Sequence, residues 1–362
     1  MNAGGYFVTE MLLERGQLKK EVYTFLIITF TASFIFSFAM YLILGPVSVP
    51  VPEIWFISLQ AYMLIPATAA ITCMILFKSH ALTKETKVIF SFFLIYVVLF
   101  AFENYFQPIM GTIGLPLVAL QPTTTTNIPF ISMMVAILGI LTVLLLNLKK
   151  KWRENLKPSK LAIGEKFLNY LMIPLILSLF IVGTFFLNYI SGLGVPTKEF
   201  NLHIFFSTLI SSLILSFFVL WPNYFGEEYG WRAYLQDRLF PLLGSYKGVL
   251  LLGVIWGLWH TPLILVGAIY PGQPLLGIVL MVLNTIVMGI ILSYAVLKTG
   301  SIWIAVILHM IADTIYPTAG FFIATSTNPI FSFGTGIYGL ALFAVFALIL
   351  LKSKVWRRNE KF

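Results

Sequence analysis

The 362-residue chain is 59% hydrophobic and 10% charged, with a mean hydropathy of +0.94. A soluble domain carries roughly 25% charged residues, so the composition excludes a soluble enzyme and describes an integral membrane protein. A net charge of +9 could suit nucleic acid, but Lys and Arg flank the apolar runs. Topology and anionic lipid head groups account for them there, and no nucleic-acid partner is implied.

The first 22 residues carry Glu10, Glu14, Arg15, Lys19, Lys20 and Glu21 without an apolar core or a small-residue cleavage site. They do not read as a signal peptide. Apolar runs follow at 23–45, 54–77, 88–106, 128–148, 167–190, 203–225, 247–269, 275–297, 301–320 and 334–351. Each is long enough to cross a hydrocarbon core of about 30 Å, which predicts an all-helical polytopic bundle of about ten spans. Cys73, the single cysteine, lies in an apolar run and forms no internal disulfide. Glu103, His80 and His203 read as boundary residues with no role. The stretch 107–127, with its threonine tract 123–126, is expected to be an outer loop, with a re-entrant segment as the alternative.

Placing both termini in the cytoplasm puts 22 of the 23 Lys and Arg residues on the inner side, Lys198 being the exception. That asymmetry sets the expected orientation in the cell membrane. The basic loop 149–166 divides a four-span region, 1–166, from a six-span region, 167–362. All the candidate chemistry falls in the second region, between 227 and 313.

A carboxylate or imidazole at bilayer depth is costly unless paired or hydrated, so such residues mark a functional site. The first element is Glu227-Glu228-Tyr229-Gly230-Trp231-Arg232, at the inner end of the sixth run. Neighbouring helix positions point about 100° apart, so the two glutamates cannot share one role. Glu228 and Arg232 stand at i, i+4 and are expected to form a structural ion pair, which leaves Glu227 free to act as a base. Pro222, a turn upstream, can kink the span. The second element is Trp256-Gly257-Leu258-Trp259-His260, in which the Trp256 indole walls one side of the imidazole. The third is His309 with Asp313, again four apart on one helix face. The spacing leaves a depth problem. His260 and His309 fall well inside their spans and Glu227 near the end of its own. They meet only if the seventh helix starts beyond the membrane surface or the kink displaces the sixth inward.

These three elements resemble the motif set of the CPBP family of intramembrane proteases, also called the CAAX protease and bacteriocin-processing or ABI family. The family pattern is Glu-Glu with Arg four places on, Phe-x-x-x-His, and His with Asn or Asp four places on. Here it stands as Glu227-Glu228 with Arg232, Trp256-x-x-x-His260 and His309-x-x-x-Asp313, with the resemblance confined to about 200–320. The resemblance implies peptide-bond hydrolysis by activated water at membrane depth. Glu227 and His260 would handle the water, and His309 and Asp313 would act as oxyanion-side or metal-side groups. It implies a peptide or membrane-protein substrate: prenylated, a bacteriocin leader, or a signalling peptide.

Trp256 replaces the usual Phe, and Asp313 the commoner Asn. An ionised Asp cannot donate a hydrogen bond, so Asp313 must be protonated, orient His309 or ligate a metal. Zinc held by Glu227, His260, His309 and Asp313 is the candidate cofactor, beside a metal-independent glutamate mechanism. The reading from a different class is a non-proteolytic scaffold or transporter that retains the polar cluster.

Overall fold

The computed structural model describes residues 3–47, 52–106, 130–197, 201–325, 329–333 and 336–359. The stretch 107–127 and the exception Lys198 lie outside them. The described chain is almost wholly helical. In chain order, α1 spans Ala3–Leu44, α2 Glu53–Met63, α3 Ile65–Leu76, α4 Lys84–Ala101, α5 Phe130–Leu148, α6 Lys150–Leu156 and α7 Phe167–Ile190. Then come α8 over Leu202–Leu243, α9 over Ser245–Trp259 and α10 over Thr261–Leu265. The last three are α11 over Pro274–Thr299, α12 over Trp303–Phe322 and α13 over Ile337–Leu351. A short antiparallel pair, Gly194–Pro196 with Ile323–Thr325, ties the end of α7 to that of α12.

Among the described residues, with α2–α3 and α9–α10 each taken as one stretch, eight helical stretches are long and apolar enough to cross a membrane. The ninth expected position is filled by α12, 20 residues long but diluted by His309 and Asp313, and the tenth by α13, of 15 residues. The protein is therefore an all-helical, multi-pass membrane protein. Large apolar side chains such as Ile35, Phe38 and Leu148 point outward, as a lipid-facing surface requires.

The helix boundaries follow local chemistry. Thr83 caps α4 through its side chain, and Asn201 caps α8 by accepting from the His203 and Ile204 amides. Pro66 stands just inside the start of α3, where its missing N–H costs nothing, so the second run is broken at Leu64. Glu103 is buried and accepts hydrogen bonds from the Ile131 and Ser132 amides at 2.9 Å, satisfying the first turn of α5. It has a structural role that a boundary reading missed. His80 and His203 are exposed, as expected of boundary residues.

The largest departure from the sequence reading is α8. The sixth apolar run ends at 225, but the helix continues to Leu243 and is 42 residues long, roughly 63 Å at helical rise. Pro222 does not break it. The helix carries two π-helical stretches, Ser216–Leu220 just before the proline and Tyr229–Leu235 after the glutamate pair. Gly244, at φ 78°, then reverses the chain into α9.

Glycines let the helices touch. A Cβ on Gly226 would stand 2.6 Å from the Met63 carbonyl oxygen, and one on Gly230 2.4 Å from Pro66 Cβ, so α8 lies directly on the α2–α3 break. Likewise Gly253 and Gly257 bring α9 against α11, where added Cβ atoms would come within 2.5 Å of the Ile286 and Val282 Cα atoms. The basic loop after α5 is also built in. Leu156 and Leu161 are fully buried, and the Leu161 carbonyl accepts from Trp303 Nε1 at 2.8 Å.

Candidate active site

The hairpin at Gly244 solves the depth problem. Glu227 lies 17 residues before Gly244 and His260 16 residues after it. Two antiparallel helices rising side by side from one turn reach the same level after equal lengths, about 25 Å up. Glu227 and His260 meet because the sixth helix overruns its apolar run and the seventh starts level with its end.

At that level the site is assembled from α8, the α9–α10 junction and α12. Glu227 and Glu228 are buried, 2% and 0% exposed. Glu227 accepts a hydrogen bond from Trp256 Nε1, and its Oε1 stands 3.9 Å from His260 Nε2. His260 occupies the joint where α9 stops and Pro262 starts a new turn. Its Nδ1 lies 2.9 Å from the Trp256 carbonyl. A carbonyl only accepts, so Nδ1 carries a proton, and in the neutral ring Nε2 then presents its lone pair toward Glu227. Trp259 packs edge-on against the imidazole at 4.9 Å.

The second half of the site surrounds Glu228. Arg232 Nη1 bonds it at 3.2 Å, with both side chains fully buried, which is the expected ion pair. Glu228 also does something that pairing did not anticipate: its Oε1 lies 2.7 Å from His309 Nδ1. His309 Nε2 in turn faces Asp313 Oδ2 at 3.4 Å. His309 is thus held on both ring nitrogens by carboxylates, tightly on one side and loosely on the other. The Asp313 side chain is 46% exposed, against 11% for His309, so the loose end opens outward.

Trp256 is more than a wall. It donates to Glu227 from its ring, accepts from His260 through its backbone, and lies 3.8 Å below the Arg232 guanidinium in a cation–π stack. A Phe at this place keeps the stack and loses the donor.

Helices of the first four runs complete the enclosure. Tyr62 on α2 donates to the Trp259 carbonyl at 2.5 Å, and Trp259 Nε1 donates to Ser33 on α1 at 2.7 Å. Asn223, one turn before Glu227 and fully buried, accepts from Tyr96 and donates to the Gln60 carbonyl, binding α8 to α4 and α2. Sequence reasoning missed these supports. Asn223, Gln60 and Ser33, polar residues inside apolar runs, were the available signals.

The expected zinc set does not converge. Among the described residues, no group of three His, Cys, Asp or Glu side chains is placed to hold a metal ion. Glu227 and His260 face each other, while both nitrogens of His309 are turned to Glu228 and Asp313. The residues as arranged do not fit that ion, and no step below uses it.

Fold and site together define a multi-pass helical membrane protein with a buried carboxylate–imidazole centre inside the bundle. Residues 207–315 match the family described as type II CAAX prenyl endopeptidase Rce1-like, which bears out the resemblance read from the three motifs over that region. Over 92 residues the chain is 36% identical to a Methanococcus maripaludis protein named CAAX prenyl protease 2. That stretch is 24% of this chain and spans 34% of the relative.

Proposed function

We propose that the protein is an intramembrane endopeptidase that hydrolyses a peptide bond with water activated by Glu227 and His260. The observation that carries this reading is the pair of facing acceptors. The Glu227 carboxyl group and His260 Nε2 stand 3.9 Å apart, too far to bond each other, and with Glu227 ionised and His260 neutral both are acceptors. A water between them can donate one hydrogen to each, which directs its lone pairs away from both and toward a substrate carbonyl. Glu227 takes the proton as the oxygen attacks, and then delivers it to the leaving amide nitrogen. Trp256 fixes the carboxylate for this task. His309, held between the Glu228 and Asp313 carboxylates, is the proposed donor for the developing oxyanion. It can turn Nε2 to that oxygen because the Asp313 contact is long and exposed, while Glu228 keeps hold of Nδ1. Arg232 balances Glu228 and touches no reacting atom.

The substrate is proposed to be a prenylated peptide ending in a Cys-a-a-X motif, following the name of the matching relative. The termini are placed on the cytoplasmic side, where the basic loops face anionic head groups. The test is purified protein in lipid vesicles, supplied with farnesylated and unmodified versions of one peptide, with products identified by mass spectrometry. Cleavage of the farnesylated peptide, abolished in Glu227→Gln while the variant stays folded, is the expected result. Cleavage that survives Glu227→Gln would remove Glu227 from the mechanism. Equal cleavage of both peptides would remove the prenyl requirement, and none of either would favour a non-proteolytic role.

A further inference from the structure

Below the Glu228–Arg232 pair lies a run of buried polar side chains that the proposed reaction does not use. Arg232 commits Nη1 to Glu228, while its Nε and Nη2 have no hydrogen-bond partner among the described residues. One turn further along α8, Gln236 is fully buried with neither amide atom partnered. Ser293 on α11 and Ser245 on α9 are also fully buried, with unpartnered hydroxyls.

Helix register orders these groups by level along the bundle. Gly253 and Gly257 meet Ile286 and Val282, so α9 and α11 run antiparallel, and continuing that pairing brings Ser245 level with the turn that holds Ser293. α8 is antiparallel to α9 through the Gly244 hairpin, so it runs parallel to α11. Gly289, one turn before Ser293, is the residue beside the guanidinium: a Cβ there would lie 3.9 Å from Arg232 Nη2. The order along the bundle is Arg232, then Gln236, then Ser293 and Ser245. Lys298 follows five residues beyond Ser293, and Lys247 stands two residues from Ser245, so both lysines lie at this end of the bundle.

Several donors and acceptors left unpaired in the interior need a small partner that can both give and accept. We infer that Arg232, Gln236, Ser293 and Ser245 hold a file of bound water running from the Glu228–Arg232 pair to the lysine-bearing end of the bundle. The absent Cβ of Gly289 leaves the room beside the guanidinium that the first water needs. In the proposed reaction this file keeps Arg232 solvated and oriented under Glu228, and through Glu228 it steadies His309. Gln236 is thus a positioning residue, not a catalytic one. Its effect on rate rests on the protease reading, whereas the water file does not.

Two measurements on the full chain in lipid nanodiscs test this. The first is a density map at a resolution that shows ordered waters. Density bridging Arg232 Nη2, Gln236 and the two serines is expected. A map that shows waters elsewhere but only protein contacts at these atoms would overturn the inference, whatever the protein cleaves. The second is the double variant Gln236→Leu with Ser293→Ala, similar in volume and apolar. Its map should lose the bridging density. Its kcat should fall roughly tenfold at unchanged KM, about what one hydrogen bond to a charged group is worth, and its pH–rate profile should move as His309 loosens. A variant with wild-type kcat and pH profile and a higher melting temperature would show a dry column and refute the proposal. If the double variant does not fold, the wild-type map decides alone.

Discussion

Glu228→Gln probes the contact that sets this site apart from a simple interfacial ion pair. The carboxylate bonds Arg232 at 3.2 Å and His309 at 2.7 Å, and both Glu228 and Arg232 are fully buried. Removing one partner of a buried pair costs about 3–5 kcal/mol, because the other charge stays behind uncompensated. The Gln oxygen can still accept from His309 Nδ1, so what is lost there is the charge assistance, about 1 kcal/mol. The total, roughly 4–6 kcal/mol, reaches the low end of a typical domain's whole stability, so Glu228→Gln should accumulate poorly. Glu228→Gln with Arg232→Met removes the stranded cation and should recover most of the abundance. It should not recover cleavage, because His309 has lost its charged anchor. The assays are membrane abundance, a melting curve in detergent, and peptide hydrolysis per folded molecule. If the double variant regained both abundance and activity, the Glu228–His309 contact would have no part in the mechanism. If Glu228→Gln alone were silent in both assays, the ion pair itself would be wrongly assigned.

Asp313→Asn should retain or raise hydrolysis near neutral pH, since an amide can donate where the exposed carboxylate only holds His309 loosely; a fall in activity that added zinc partly restores would instead establish a metal ligand. Trp256→Phe keeps the ring under Arg232 but deletes the donor to Glu227, so kcat should drop roughly tenfold with the melting temperature little changed. An unchanged kcat would show that the carboxylate needs no such guide. Gly253→Ala sets a Cβ 2.5 Å from the Ile286 Cα, which no rotamer can relieve, and should cost about 1–3 kcal/mol in thermal stability. The control Gly183→Ala, with nothing within 4 Å, should be neutral or slightly stabilising, and equal effects at the two sites would discredit the close α9–α11 packing.

Length of apolar run, the near absence of charge and the i, i+4 spacings were enough to read an all-helical membrane bundle and to single out Glu227, Glu228, Arg232, His260, His309 and Asp313. Those signals are local: each depends on a single helix and its own periodicity. The end of α8 was not legible, because Gln236, Asp237 and Arg238 look like a loop in a hydropathy reading and their helicity comes from packing on α9. The length of that helix decides the site, since it sets the level at which Glu227 meets His260. The second role of Glu228 and the donor role of Trp256 also required three dimensions. Side chains 81 and 29 residues apart become neighbours only once α8, α9 and α12 are stacked. Sequence spacing fixes which residues share one helix face, but not which faces of different helices are pressed together. Glycines at 226, 230, 253 and 257 settle that, by letting the backbones approach closely enough for the polar groups to bond.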